Sequence, residues 1–245
     1  MSKYWKDASS IIVTAKTTFG RNVNCIHMGK RNTAIKKSVD QSSPENFSFI
    51  PNYNILSLKR SSKNSFMPDN YVFPGGNVDI ADSSKDWLEL FKQCGIQEIA
   101  LDAFKLSSRK TNLINIFEHN KDNEILKSIS LRITGIRETF EESGILLCKS
   151  VHAHPLDVKS KWASFISGNE LQTWQERVQE NAGEFINLCK YLECYPDIWS
   201  LKEWSNWLSP NHFQKRFNTI FFIVNLDQTP PTFCNTSEVN EFKVT

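Results

Sequence analysis

The sequence predicts an α/β fold, on three observations. Runs rich in β-branched and aromatic residues at 10–15, 54–61 and 220–224 read as strands. Ile129, Ile133, Ile136 and Phe140 recur at helical spacing, and so does the set Leu171, Trp174, Val178, Phe185, Leu188, Cys189 and Leu192. The chain's 245 residues are enough for one sizeable core, so residues 1–245 read as a single domain with embellishments.

Residues 1–9 are polar, with Trp5 as an anchor on the domain surface, and the first strand follows at 10–15. Residues 17–52 are rich in Asn, Ser and Lys and read as a mobile polar insertion. Its basic segment, Lys30-Arg31 to Lys36-Lys37, is a solvated stretch or a source of anion attraction. The second strand, 54–61, ends in the basic pair Lys59 and Arg60. Phe66-Met67-Pro68 then leads into the apolar run Tyr71-Val72-Phe73 and the turn Pro74-Gly75-Gly76. Paired glycines there let backbone approach a ligand closely and leave a carbonyl available to a metal.

Residues 83–127 read as an insertion that caps the fold or shapes a substrate lid. Residues 86–91 form an amphipathic turn or short helix and 96–104 another, while 112–117 fits strand or helix. A helix starts near Ser128; Gly135 inside it costs about 1 kcal/mol relative to Ala, which points to close packing. Glu138, Glu141 and Glu142 share one face of this helix, within roughly a 100° arc, and the isoleucines project from the other. Like charges at this spacing destabilise a bare helix by roughly 0.2–0.5 kcal/mol. Taken alone the cluster reads as a solvated acidic helix end; a hard divalent cation would remove that penalty and keep positions open for substrate phosphates. Gly144 supplies the left-handed stop before a strand at 145–148. His152-x-His154 has no third ligand at useful spacing and reads as loop. Residues 169–195 read as helical and Pro196 breaks them; Leu201, Trp204, Trp207 and Leu208 form an aromatic stripe assigned to the core.

The glycine turn and the distant glutamates together resemble the signature of Nudix hydrolases. Gly76 matches its opening glycine, and Arg137, Glu138, Glu141, Glu142, Gly144 and Ile145 match its second half. Asp82 stands where the signature has Glu, and Thr139 stands at an apolar position. Residues 83–136 lie where the usual signature has only seven residues, so the box is interrupted. That interruption is similar to the nucleoside diphosphate-linked moiety X motif 19 subfamily, acyl-coenzyme A diphosphatases. Phe66-Met67-Pro68, Phe73-Pro74-Gly75-Gly76 and the Trp-rich stretch 199–210 are similar to the same subfamily.

The resemblance implies an α/β/α sandwich around a mixed sheet, with the large insertion inside the box and the closing C-terminal helix missing. A partner or dimer is then expected to cover the unclosed sheet face. It implies Mg²⁺ or Mn²⁺ held by Glu138, Glu141 and Glu142, with the Gly75 carbonyl and Asp82 helping. Glu141 or Glu142 would serve as general base, and Arg137 would hold a box carboxylate in its rotamer. Coenzyme A or acyl-coenzyme A is the implied substrate, with Lys59, Arg60 and Arg216 as candidate phosphate-binding residues. For each of these three cations a plain surface role stays open. The alternatives are another nucleoside diphosphate derivative, such as ADP-ribose or NADH, or a non-catalytic binding form.

Net charge is +2, which gives no general reason to expect nucleic acid. No apolar run approaches the ~20 residues of a membrane span. The six cysteines (25, 94, 148, 189, 194 and 234) show no CxxC pair or zinc spacing and read as reduced thiols of an intracellular protein. The family implies a peroxisome, although Lys243-Val244-Thr245 is not a peroxisomal tripeptide; a mitochondrion is the second choice.

Overall fold

A computed structural model describes residues 5–16, 53–62, 68–106, 116–117, 124–152, 162–168, 170–230 and the backbone of 239–244. The expected polar insertion at 17–52, Phe66-Met67, most of 112–117 and His154 lie outside the described residues.

A mixed sheet forms the centre. Strand β1 (Lys6–Lys16) pairs parallel with β8 (Phe217–Leu226) over ten residue pairs, Lys6 opposite Phe217 through Ala15 opposite Leu226. On the other side, β1 pairs antiparallel first with β4 (Gly75–Asn77) and then with β2 (Tyr53–Arg60). Strand β2 also pairs with β3 (Tyr71–Val72) and β9 (Val239–Val244), and β7 (Lys202–Leu208) lies antiparallel on β8. A separate ribbon joins β5 (Cys148–Ser150) to β6 (Cys194–Pro196). Strand β1 is buried on both faces along most of its length, as the continuous apolar and small-residue run 8–15 requires.

Helix α3 (Lys127–Ser143) crosses the sheet, and Gly135 is where it comes closest. A methyl group there would sit 2.7 Å from the Ser9 hydroxyl and 3.0 Å from the Ile11 side chain. The expected two-sided helix is in fact buried almost all round: Ser130, Thr134, Arg137 and Thr139 are as enclosed as Ile129, Ile133, Ile136 and Phe140. Its polar face meets protein instead of water: Ser128 and Ser130 meet Phe104 and Ser83 of the insertion, Thr134 and Arg137 meet Asp82, and Arg132 meets Glu203 of β7. In that insertion, α1 (Asp86–Gln93) places Trp87, Leu90 and Phe91 in the core, and α2 (Glu98–Asp102) adds Leu101. Trp87 stacks near Phe185, while Phe91 meets Tyr195 and Trp199 edge-on.

The helical stretch 169–195 divides into α4 (Leu171–Glu180) and α5 (Glu184–Tyr191), separated at Asn181–Gly183, with β6 following. Leu171, Val178, Phe185, Leu188 and Cys189 enter the core as their spacing predicts. The aromatic stripe differs from its reading. Residues 202–208 are a strand at the sheet's edge with an irregularity between Glu203 and Ser205, and Trp204 and Trp207 are 67% and 68% exposed. Their three-residue separation matches a helix turn, but the irregularity at Trp204 lets both turn outward from a strand.

Candidate active site

The glycine turn meets the glutamate helix. The Gly75 N–H donates to Glu142 Oε2 at 3.0 Å, joining residues far apart in sequence. Gly75 has a φ of 156°, and a Cβ there would strike the Ser9 carbonyl and Ser10 Cα. At Gly76 a Cβ would overlap the Glu138 carboxylate at 2.4 Å. Glycine is thus required twice: once where β4 presses on β1, and once where the backbone makes room for a carboxylate.

Arg137 holds the cluster together. Its Nε donates to Asp82 Oδ1 at 2.8 Å and its Nη2 to Asp82 Oδ2 at 2.9 Å. The same guanidinium reaches Glu141 Oε1 at 2.5 Å, Glu138 Oε1 at 3.0 Å and the Asn77 carbonyl at 3.1 Å. Burial opposes the charge on Arg137, but its bonds to Asp82 outweigh this and hold its pKa above the ordinary value. Asp82 also accepts from Thr134 Oγ1 at 2.8 Å and from the Asp79 N–H at 3.0 Å, and it is 1% exposed. Both of its oxygens are therefore occupied by protein donors. Asp82, expected to help hold a metal, anchors Arg137 here and accepts four hydrogen bonds in all. The reciprocal cap at Asp79 and Asp82 fixes the short 3-10 turn Ile80–Ser83 that delivers it.

The glutamates are left with more negative charge than one arginine satisfies. Burial pushes Glu138 up to about 7; Arg137 pulls it down, and Glu141 and Asp82 push it further up. Burial also raises Glu141, against the opposing pull of Arg137. Burial and mutual repulsion thus act in the same direction on Glu138 and Glu141, against the pull of Arg137. Gly144, with φ 71°, ends the helix directly after these residues.

A family model described as the NUDT19 Nudix domain matches residues 5–245. The chain belongs to the NUDT19 Nudix domain family. Among its relatives is the acyl-coenzyme A diphosphatase NUDT19 of Xenopus laevis, 36% identical over 252 residues, covering 98% of this chain and 62% of the relative. The human protein of the same name is 35% identical over 193 residues, covering 76% of this chain and 52% of the relative. The chicken (Gallus gallus) protein of that name is 32% identical over 251 residues, covering 98% and 59%. The chain thus spans about three-fifths of the length of the first of these relatives. A crystal structure of a NUDIX hydrolase from Alicyclobacillus acidocaldarius superposes with a TM-score of 0.57 at 15% identity, over 99% of this chain and 79% of that one. The likeness shows a shared mixed α/β fold.

Within this NUDT19 Nudix domain, the expected phosphate-binding cations lie apart in the sheet. Lys59 and Arg60 close β2, with Lys59 opposite Tyr71 of β3. The buried Nε of Arg60 has no hydrogen-bond partner among the described residues. Arg216, before β8, donates its Nε to the Ser209 carbonyl at 3.0 Å and lies over the Trp5 ring. The second anticipated histidine aside, His152 is exposed and pairs with Glu193 at 2.8 Å.

Two contributors were not legible in the sequence. Thr134 sits one turn before Glu138 and looks like an ordinary helix threonine until Asp82 arrives beside it. Gln175 of α4 is buried and donates to the carbonyls of Phe140 and Glu141 at 3.1 and 2.9 Å; Gln179 adds a bond to Glu141. Together they add bonds to carbonyls in the last turn of α3, where the Phe140 carbonyl also accepts from the Gly144 N–H, and so fix the turn carrying the glutamates. Only the amphipathic spacing of 171–178 hinted that this helix packs at all.

Proposed function

We propose that the chain is a divalent-metal-dependent diphosphatase that cleaves coenzyme A or acyl-coenzyme A to 3′,5′-ADP and (acyl-)4′-phosphopantetheine. The observation that supports it most is the closure of Gly75 and Gly76 onto Glu142 and Glu138 across the interrupted box. The names of the relatives supply the substrate class.

Glu138, Glu141, Glu142 and the Gly75 carbonyl would hold Mg²⁺ or Mn²⁺. The fit rests on the donor set, three glutamates with too few cations around them and a backbone that lacks the side chains to obstruct it. Such a cation neutralises diphosphate oxygens and lowers the pKa of bound water. Arg137 keeps Glu141 and Glu138 in their rotamers, with Asp82 fixing Arg137 in turn. Glu141 or Glu142 takes the proton released by the attacking water. Arg60 and Lys59, at the end of the strand next to the glycine turn, would receive the substrate's outlying phosphate. The finer architecture we read is an α/β/α sandwich formed by residues 1–245, with α3 on one face of the sheet.

The test is product analysis by mass spectrometry after incubation of coenzyme A with the chain and Mg²⁺. The expected products are 3′,5′-ADP and 4′-phosphopantetheine, and Glu141→Gln should lower turnover by ~10²–10³-fold with its circular dichroism unchanged. Undiminished turnover in that variant overturns the site assignment. Preferential cleavage of ADP-ribose or NADH in the same assay overturns the substrate assignment alone.

A further inference from the structure

Three cysteines converge outside the carboxylate site, and a fourth lies on a neighbouring element. Cys148 opens β5, Cys194 opens β6, Cys189 lies on α5, and Cys94 closes α1. The sulfurs of Cys148, Cys189 and Cys194 lie within 4.8 Å of one another, and all three residues are buried. Cys94 is partly exposed and lies outside that group of three, but it packs against the same core, and Phe91, three residues before it, meets Tyr195 next to Cys194. A lone buried cysteine packs as a small apolar residue. Here β5, separated from α5 and β6 by α4, brings its thiol to the point where theirs lie. The antiparallel pairing of β5 with β6, with Ser150 opposite Cys194 and Cys148 opposite Pro196, sets the spacing of the first two. The tight turn from α5 into β6 supplies the third.

The dimensions match a known coordination chemistry. A tetrahedral zinc ion with Zn–S bonds of about 2.3 Å has its sulfurs about 3.8 Å apart, so these side chains need only a small inward rotation. Thiolate sulfur favours zinc over the hard ions suited to the glutamates. The thiols already share hydrogen bonds: those from Cys148 and Cys189 hold Cys194 below the ordinary thiol value, while burial pushes Cys148 and Cys189 up.

We propose that Cys148, Cys189 and Cys194 form a zinc site with Cys94 as the fourth ligand. Each ligand enters as thiolate, and its proton leaves to solvent when the ion binds. Four sulfurs close the coordination shell, so the ion is structural and takes no part in hydrolysis. It ties α1 of the box insertion to α5 and to the β5–β6 ribbon. The partly exposed Cys94 lies on the side from which the ion enters.

The experiment uses the full chain, purified reduced and without chelator. Elemental analysis should find about one zinc per chain, retained in the Cys25→Ser/Cys234→Ser double variant and lost in Cys194→Ser. Cobalt added to the stripped protein should give thiolate-to-cobalt charge-transfer bands and the visible bands of a tetrahedral ion, which the glutamate site cannot produce. If Cys194→Ser does not fold, Cys94→Ser serves as the second variant. It should keep the native circular dichroism, shift the cobalt bands and weaken zinc binding by at least ~10-fold. The proposal is overturned if reduced, folded protein holds no zinc and gives no thiolate–cobalt bands. Peptide mapping that finds a disulfide between any two of the four cysteines in freshly purified protein overturns it as well, as does unchanged zinc binding in Cys94→Ser.

Discussion

Arg137 faces three carboxylates at once, Asp82, Glu138 and Glu141, and one guanidinium charge cannot neutralise them all. The shortfall falls on Glu138, whose carboxyl is pushed up to about 7 chiefly by burial. Its ordinary value is 4.5, so the folded chain binds this proton more tightly than the unfolded chain does. The stabilisation from this group is complete below the unfolded value and is lost as pH rises from 4.5 through about 7. Above that range the metal-free protein carries a buried charge at a net cost. Metal-free Glu138→Gln should therefore melt above the wild type at pH 8 by ~2–4 °C, corresponding to ~1 kcal/mol, and no higher at pH 5. Mg²⁺ should raise the wild-type melting temperature more at pH 8 than at pH 5 and barely move the variant. Differential scanning calorimetry checks both; a variant that melts lower at pH 8 would show that the Arg137 bond to Glu138 outweighs its desolvation.

Helix α3 carries the glutamates, and its height over the sheet is set by Gly135. Ala has the better helix propensity by about 1 kcal/mol. A Cβ 3.0 Å from the Ile11 side chain and 2.7 Å from the Ser9 hydroxyl introduces overpacking that costs ~1–3 kcal/mol. Crowding should win narrowly, because Ile11 is fully buried on the central strand and has nowhere to move. Gly135→Ala is expected to lose ~1 kcal/mol in urea titration and to weaken metal binding, since Glu138, Glu141 and Glu142 ride on the displaced helix. A stabilised variant would mean that the helix can lift without penalty. This helix was the most legible element in the sequence, because apolar spacing, an internal glycine and a glycine stop all lie within one continuous segment. The contact of Gly75 with Glu142 was legible only as a resemblance, since no local rule ties a turn to a helix across an inserted segment. The stripe assigned to the core at Leu201, Trp204, Trp207 and Leu208 was misread in its burial: Leu201 is buried, but Trp204 and Trp207 face outward from an edge strand. The cysteine cluster was invisible for a different reason: Cys148 is brought to Cys189 and Cys194 by the packing of β5 against β6 and α5, and no spacing rule encodes that.

At the scale of the whole molecule, the sheet depends on joining the two ends of the chain. Strand β1 starts at Lys6, and its longest partner, β8, ends at Leu226. The glycine turn hangs from the other edge of β1, where Gly76 lies opposite Ser9 and Gly75 opposite Ser10. Ser9 and Ser10 are thus bracketed by β4 on one side and by Ile220 and Phe221 of β8 on the other. The site therefore cannot be assembled from the interrupted box alone, although every matching residue of the signature lies between 76 and 145. Such non-local pairing forms late and slowly, because loop closure precedes any gain from contacts. A chain ending at residue 215 loses β8, and with it the only strand partner that β7 has among the described residues. It should show no cooperative urea transition and no Mg²⁺-dependent change in melting. A chain ending at residue 230 keeps β8 and loses β9, which pairs with β2 and not with β1 or β4 among the described residues. It should unfold cooperatively at lower denaturant and still respond to Mg²⁺. If the chain ending at 215 folds and binds the ion, β1 needs no parallel partner to hold the glycine turn against the glutamates. The site would then be a property of the β1–β4–α3 unit and not of the closed sheet.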